Sequence, residues 1–240
     1  PLVKQRGGEI ILECKKELLR LFENFPGIDK IIESKNNVVP DVDFDFYIHL
    51  MSLPKIFNTN ITTIPSKIPY LKANPFLSEN IKSKFSTDNF KIGIAWSGNP
   101  LQDNDKKRSV AFEKFKILKK IPGISLFSLQ KGKASQQLDD LEIIDLSSRI
   151  NDFVDTAVII ENLDLIISVD TSVAHLAGAM GKPVWVLLTF IPDWRYLLDR
   201  TDSLWYPSMK LFRQPKPGDW DSVFIEIEKE LRNFLDEKIK

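Results

Sequence analysis

Apolar positions along the chain fall into two patterns, short continuous runs and faces that repeat every three or four residues. The runs predict strands, and the spaced faces predict amphipathic helices. Strands are predicted at 9–14, 28–32, 44–50, 91–96, 125–130, 142–146, 165–169 and 183–188. Helical segments are predicted at 15–25, 52–57, 111–121, 152–163, 173–180 and 222–240. Strands that alternate with helices are typical of parallel sheets covered by helices, so the predicted fold class is α/β.

The length of the chain suits two lobes. Its 240 residues exceed one typical domain. Residues 71–90 have no strong apolar period, which predicts a hinge there. We expect a first lobe over residues 1–87, a second lobe over 88–218 and a C-terminal helix over 219–240. The sequence begins at Pro1 without an initiator methionine, which suggests a fragment.

Composition narrows the class of protein. Hydrophobic residues make up 43% and charged residues 28%, as in soluble proteins with a core. The 33 basic and 33 acidic residues balance, which disfavours nucleic acid as a partner, and the basic run 106–108 is expected in a solvated loop or at a helix end. The single cysteine, Cys14, excludes an internal disulfide. With no signal peptide and no apolar stretch of the ~20 residues that span a membrane, we expect a cytoplasmic protein.

The most informative stretch runs from Leu165 to Pro183. A buried strand enters a helix of small residues through Asp170, Thr171 and Ser172. In a parallel sheet this turn lies at the carboxyl edge, where ligands bind. The first N–H groups of the helix and its dipole favour an anion such as a diphosphate, and His175 follows one turn later. Plain N-capping by these residues, or a histidine satisfied at an interface, is the alternative.

Two further strands end at the same edge, and polar residues follow them: Ser97, Gly98, Asn99, Gln130 and Lys131. Gly98 allows the backbone to approach a ligand closely. Lys131 can neutralise a phosphate, and Asn99 or Gln130 can hydrogen-bond a base or ribose. A bare surface loop is the alternative for each of these residues.

Several common motifs are absent from the sequence. The chain has neither a Gly-x-Gly-x-x-Gly turn nor a Walker-type glycine loop, which disfavours Rossmann dehydrogenases and P-loop enzymes. Two widely separated histidines and one cysteine disfavour a metal site. No Gly-x-Ser-x-Gly elbow supports a serine hydrolase. We therefore expect neither a metal nor a cofactor.

The residues 167–185 resemble the nucleotide-sugar segment of the bacterial heptosyltransferases and, more loosely, of the protein O-GlcNAc transferases. Their sequence is Ile-Ser-Val-Asp-Thr-Ser-Val-Ala-His-Leu-Ala-Gly-Ala-Met-Gly-Lys-Pro-Val-Trp. Residues 93–100, 128–132, 193–195, 205–207 and 211–214 resemble the glycosyltransferase-like domain attached to tetratricopeptide repeats in many bacterial proteins. The resemblance covers nearly the whole second lobe. It implies the GT-B fold, in which two Rossmann-like lobes face each other across a cleft.

The resemblance also implies which residues form the donor site. Those around the diphosphate would be Asp170, Thr171, Ser172 and His175. Those lining the cleft and the nucleoside would be Ser97, Gly98, Asn99, Gln130 and Lys131. Those closing the entrance would be Asp193, Trp194 and Arg195. The family's general base lies in a glycine-rich loop that would precede Pro1, so His49, at the end of strand 44–50, is the base that this chain offers.

The function implied by the resemblance is a metal-independent transfer of a sugar from a nucleotide-diphospho-sugar to an acceptor hydroxyl. The acceptor would be a sugar, a lipid-linked glycan or a protein, and tetratricopeptide repeats would precede the chain. The C-terminal helix is expected to pack on the first lobe. One alternative is an inactive glycosyltransferase-like binding module of a repeat protein. Another is a nucleotide-sugar epimerase, which needs acidic residues facing the donor sugar.

Overall fold

The structure of the protein, a computed structural model, describes residues 1–35, 38, 40–140 and 142–239. The chain divides into two compact units. The first comprises Pro1–Pro65 and Asn151–Asp155, and the second comprises Ser66–Ile150 and Thr156–Lys240. The domain boundaries drawn from the sequence stay a prediction, and Lys240, the last residue of the predicted final helix, lies outside the described residues.

The first unit contains a two-stranded parallel sheet. Strand β1 (Ile11–Cys14) pairs with β2 (Lys30–Glu33), and the short helix α1 (Leu19–Phe22) lies between them in sequence. A second short helix, α2 (Leu53–Ile56), follows a 3-10 turn. Among the described residues of this unit none is fully buried. Both strands and the first helix occur where the sequence predicts them, although each is shorter.

The strand predicted at residues 44–50 is wrong, because the structure assigns no strand there. Phe46 and Tyr47 are exposed, at 94% and 78%. Aromatic and β-branched residues favour a strand when a neighbouring strand pairs with it and one face is covered. Neither condition is met for the residues described here, so local composition alone does not produce a strand.

The second unit is built on a six-stranded parallel sheet in the order β5-β4-β3-β6-β7-β8. Its strands are β3 (Phe90–Ala95), β4 (Ile124–Ser128), β5 (Ile144–Asp145), β6 (Leu165–Val169), β7 (Val184–Leu188) and β8 (Met209–Arg213). Its helices are α3 (Pro75–Ile81), α4 (Asp105–Arg108), α5 (Phe153–Glu161), α6 (Ser172–Ala179) and α7 (Trp220–Ile239), with the first residues of α5 in the other unit. The predicted α/β class is confirmed.

The core of this unit lies on both faces of the central strands. Strands β6 and β7 are buried along their whole length, as expected for parallel strands covered on two sides. On one face, Phe115 packs between Trp96 and Phe224 of α7, in the same cluster as Ile227 and Leu231. Helix α7 is thus anchored in the core of its own unit, and its expected packing on the first lobe stays a prediction.

Two features of this unit were not predicted from the sequence. Residues 71–90, whose role as a hinge stays a prediction, contain α3 and a 3-10 turn and bury Leu71 and Phe85. The side chain of Asn74 accepts the N–H of Leu77 and so caps α3. Strand β8 was not predicted, since Lys210 interrupts its apolar run. A polar residue in that position is typical of an edge strand.

Candidate functional site

The carboxyl ends of all six strands meet at one edge of the second sheet, because every neighbouring pair is parallel. This is the edge at which open α/β sheets bind ligands. At its centre β6 leads through Asp170 and Thr171 into α6. The helix carries small residues at Ala174, Ala177 and Gly178, which allow close packing. The turn from β6 into α6 thus lies at the carboxyl edge of the parallel sheet, as the sequence predicts.

The N-terminus of α6 has no side-chain cap. Thr171 occupies the N-cap position in an extended conformation, but its hydroxyl lies 3.0 Å from the hydroxyl of Ser168 instead of bonding to the helix. The alternative that these residues merely cap α6 is therefore wrong. An uncapped helix start leaves N–H donors and a partial positive charge facing the sheet edge.

The side chain of Asp170 is turned away from the helix start and toward aromatic partners. Its Oδ1 accepts the hydroxyl of Tyr196 at 2.8 Å and lies 3.4 Å from Nε2 of His175. Burial raises the pKa of Asp170, but the hydrogen bonds from His175 and Tyr196, with the positive charge of Arg195, outweigh it and hold that pKa below its usual range. Asp170 is accordingly an ionised carboxylate.

His175 has a protein partner at each ring nitrogen. Nε2 faces Asp170, and Nδ1 lies 3.3 Å from the hydroxyl of Tyr206. The imidazole is also stacked on the ring of Tyr196, with centroids 6.3 Å apart and planes at 22°. The structure therefore brings Asp170 and His175 together as a pair, with 29% of the histidine side chain exposed.

Both tyrosines around His175 are neutral hydrogen-bonding groups. Burial, reinforced by the charge of Asp170, raises the pKa of Tyr196. Burial and the hydroxyl of Tyr70 raise the pKa of Tyr206. The ring of Tyr206 lies against Gly178, where an added Cβ would come within 2.5 Å of the ring. The glycine of the motif thus makes room for an aromatic side chain rather than for a ligand.

The turn after β3 is occupied by an ion pair. Arg108 lies 3.1 Å from the buried carboxylate of Asp105 and donates at 2.9 Å to the backbone carbonyl of Asp170. A Cβ at Gly98 would collide with both of these side chains, so the glycine accommodates them. Ser97 hydrogen-bonds to Ser109 at 3.1 Å. The turn is therefore tied to the end of β6.

Asn99 lies at the exposed end of this turn. Its side chain accepts the N–H of Leu101 at 3.0 Å, an ordinary turn bond. No described contact joins Asn99 to the Asp170–His175 pair. Its predicted role as a reader of the nucleoside stays a prediction.

The side-chain amide of Gln130 forms hydrogen bonds to the backbone of two loops. Its Oε1 accepts the N–H groups of Trp96 and Ser97 at 2.9 and 2.8 Å. Its Nε2 donates to the carbonyls of Ser97 and Lys131, each at 3.0 Å. The residue is 4% exposed. Gln130 therefore holds the ends of β3 and β4 together, with no amide bond left for a ligand.

Lys131 is turned to the protein backbone. Its ammonium group donates to the carbonyls of Ser147 and Ile150, at 3.2 and 2.5 Å. A phosphate contact from Lys131 requires it to leave these carbonyls. The structure thus places Lys131 near the end of β4, as predicted, but not beside Asp170.

The loop after β7 carries the residues predicted to close the entrance. Asp193 accepts the N–H of Arg195 at 3.0 Å and lies 3.2 Å from its guanidinium. Trp194 is exposed and meets Trp205 edge to face, with centroids 6.0 Å apart. Since the same loop continues into Tyr196, which bonds to Asp170, these residues lie on the segment that adjoins the site.

His49 belongs to the first unit. It is exposed and precedes the 3-10 turn Leu50–Ser52. Its ring meets that of Tyr47 edge to face at 6.0 Å. The strand expected to carry His49 is absent, and His49 lies instead in an extended segment that pairs with no described strand.

Sequence reasoning missed three residues that shape the site. Tyr196 and Tyr206 surround His175, and Arg108 reaches the end of β6 from a run that was expected in a solvated loop or at a helix end. The acid Asp105, three residues before Arg108, was a signal for a local ion pair. Tyr196 and Tyr206 come from the connection between β7 and β8, and no local sequence pattern predicts their contact with α6.

Two solved structures of glycosyltransferases are similar to this protein. The structure is similar to the glycosyl transferase family 9 protein of Veillonella parvula DSM 2008, with a TM-score of 0.59 and 12% identity over 93% of this chain and 80% of that chain. It is also similar to the ADP-heptose LPS heptosyltransferase II of E. coli, with a TM-score of 0.59 and 11% identity over 94% of this chain and 93% of that chain. The chain shares the fold of these glycosyltransferases.

The sequence comparisons are less specific. No family model matches the chain. The protein FlbA of Caulobacter vibrioides is 23% identical over 252 residues, which cover 95% of this chain and 41% of FlbA. The chain thus spans about two fifths of the length of this curated relative. The GT-B-like α/β fold implied by the resemblance is confirmed by the two structures, whereas nucleotide-sugar binding and the association with tetratricopeptide repeats stay predictions.

No helix in the described part of the chain combines the length and the apolarity needed to cross a membrane.

Proposed function

We propose that the chain binds a nucleotide-diphospho-sugar at the N-terminus of α6 and transfers its sugar to an acceptor hydroxyl without a metal ion. The observation that carries this proposal is the uncapped start of α6, which opens at the carboxyl edge of a parallel sheet beside the Asp170–His175 pair. Free N–H donors with a helix dipole behind them favour a diphosphate. The fold shared with two glycosyltransferases supports the same class of reaction.

In this proposal the chain stabilises the charge that grows on the leaving diphosphate. The N–H groups of α6 face the anion, and they require no reorganisation when the bond breaks. The negative charge of Asp170 opposes an anion, but His175 and Tyr196 bind its carboxylate. Ser172, exposed in the first turn, adds a hydroxyl donor. Asp193 and Arg195 then border the sugar side of the site.

The two histidines allow binding and transfer to be tested separately. We expect calorimetric titration with UDP, ADP and GDP to show selective binding of one diphosphate, and His175→Ala to weaken it. If His49 is the general base, His49→Ala should leave that affinity unchanged and abolish turnover of the matching nucleotide-sugar. Failure of all three diphosphates to bind would refute the donor site.

A second candidate function is an inactive binding module. It is favoured by the exposed position of His49 and by the lack of any fully buried residue in the described part of the first unit, which leaves a catalytic base poorly fixed. Diphosphate binding without turnover of any nucleotide-sugar would support this candidate. We further propose that the chain acts in the cytoplasm beside tetratricopeptide repeats, which the length of FlbA outside the matched region leaves room for.

A further inference from the structure

Two tyrosine hydroxyls lie around His175. Tyr196 donates to Asp170, and the hydroxyl of Tyr206 lies 3.3 Å from Nδ1 of the imidazole. All of these groups lie in the second unit. The proposed donor chemistry uses the imidazole and the carboxylate, but it assigns no task to the hydroxyl of Tyr206.

The partner at Nε2 determines what Nδ1 can do. An ionised carboxylate is only an acceptor, so Asp170, 3.4 Å from Nε2, favours the tautomer that carries its proton on Nε2. In the neutral imidazole Nδ1 is then a lone pair, and it needs a donor. The hydroxyl of Tyr206, 3.3 Å away, is the donor that the structure supplies. The two contacts together fix which nitrogen of His175 is protonated and how the ring is turned.

Tyr206 is itself held firmly in this position. Its ring fills the space that Gly178 leaves on α6, and its backbone N–H donates to the hydroxyl of Ser203 at 3.4 Å. The position of Tyr206 is therefore set by its ring packing on α6 and by its backbone bond to Ser203, independently of its contact with His175.

We infer that Tyr206 is a positioning residue that orients His175 through Nδ1. A phenol hydroxyl can donate to the lone pair of Nδ1, and the contact at 3.3 Å places it to do so. Tyr206 therefore keeps the imidazole in one orientation. The importance of this orientation for diphosphate binding rests on the proposed function, whereas the orientation itself does not.

Nitrogen NMR tests the orientation without any ligand. The chain contains two histidines, so a His49→Gln variant assigns the resonances of His175. At about pH 8.5 imidazoles are neutral, and loss of the Tyr206 hydroxyl in Tyr206→Phe should move the Nδ1 resonance of His175 downfield. Tyr196→Phe is the matched control, because Tyr196 also stacks on His175 but bonds to Asp170. An Nδ1 resonance unchanged in Tyr206→Phe would overturn the inference.

A double-mutant cycle tests whether Tyr206 acts through His175. With the diphosphate that binds the wild-type chain, Tyr206→Phe should weaken affinity about 3- to 10-fold, the effect of one net hydrogen bond. The same change in a His175→Ala background should have no effect. An equal loss in both backgrounds would overturn the inference. If no diphosphate binds the wild-type chain, the proposed function fails, and the NMR measurement alone decides the role of Tyr206.

Discussion

Replacement of Gln130 by leucine is the sharpest test of how the site is supported. The sequence suggested that this side chain contacts a nucleoside, but the structure uses both ends of its amide to join the loops after β3 and β4. Leucine has a similar volume and no polar atom. Gln130→Leu should therefore destabilise the second unit before any question of ligand binding arises.

The magnitude follows from the groups that lose their partners. The N–H groups of Trp96 and Ser97 lose their acceptor, at about 1–3 kcal/mol each for a buried unpaired donor. Burial of the leucine side chain recovers about 1–2 kcal/mol. With central values of about 2 kcal/mol for each donor and about 1.5 kcal/mol for the leucine, the net loss in the free energy of unfolding is about 2.5 kcal/mol. With a urea dependence of about 2.5 kcal/mol/M, the unfolding midpoint should fall by about 1 M.

The assay is urea unfolding followed by tryptophan fluorescence. All five tryptophans belong to the second unit, so the signal reports on the part of the chain that Gln130 braces. Gln102→Leu, at an exposed position in the neighbouring loop, is the matched control and should leave the midpoint within about 0.3 M. A loss below about 1 kcal/mol in Gln130→Leu would refute the reasoning, because the two N–H groups would then have found other partners.

Three further predictions follow from the same geometry. Gly178→Ala should displace the ring of Tyr206 and lower the melting temperature despite the better helix propensity of alanine; a rise in melting temperature would contradict the packing. Because the pKa of Asp170 is lowered in the folded state, its contribution to stability should be complete above about pH 4 and lost as the pH falls further. Asp170→Asn should remove this part of the pH dependence of stability, measured by urea titrations at several pH values. An unchanged pH profile would refute the pairing of Asp170 with His175 and Tyr196. Arg108→Ala should cost about 3–5 kcal/mol by leaving Asp105 buried and unpaired, and additive losses in the Arg108→Ala, Asp105→Ala double variant would refute their coupling.

Most strands and helices of the second unit, and the position of the segment 165–183 within it, could be predicted from the order of apolar and polar residues. Strand β6 is apolar at every position, and such a run is stable only where both faces are covered. The residues that follow it, Asp170 and Thr171, could then lie only at the carboxyl edge of a parallel sheet. Local chemistry also indicated the helix α6 and its end at Gly181, whose positive φ of 72° suits glycine.

The partner of each polar side chain at that edge depends on long-range contacts that the residue order does not show. Gln130 and Lys131 have the chemistry of ligand-binding residues, yet neighbouring backbone groups take up their hydrogen bonds. The partners of His175 come from loops about 20 and 30 residues farther along the chain, after β7 and before β8. Contacts between residues so far apart in sequence depend on the tertiary fold, and the order of polar and apolar residues does not predict them. For the same reason the strand expected at 44–50 failed, since a strand exists only where a neighbour pairs with it.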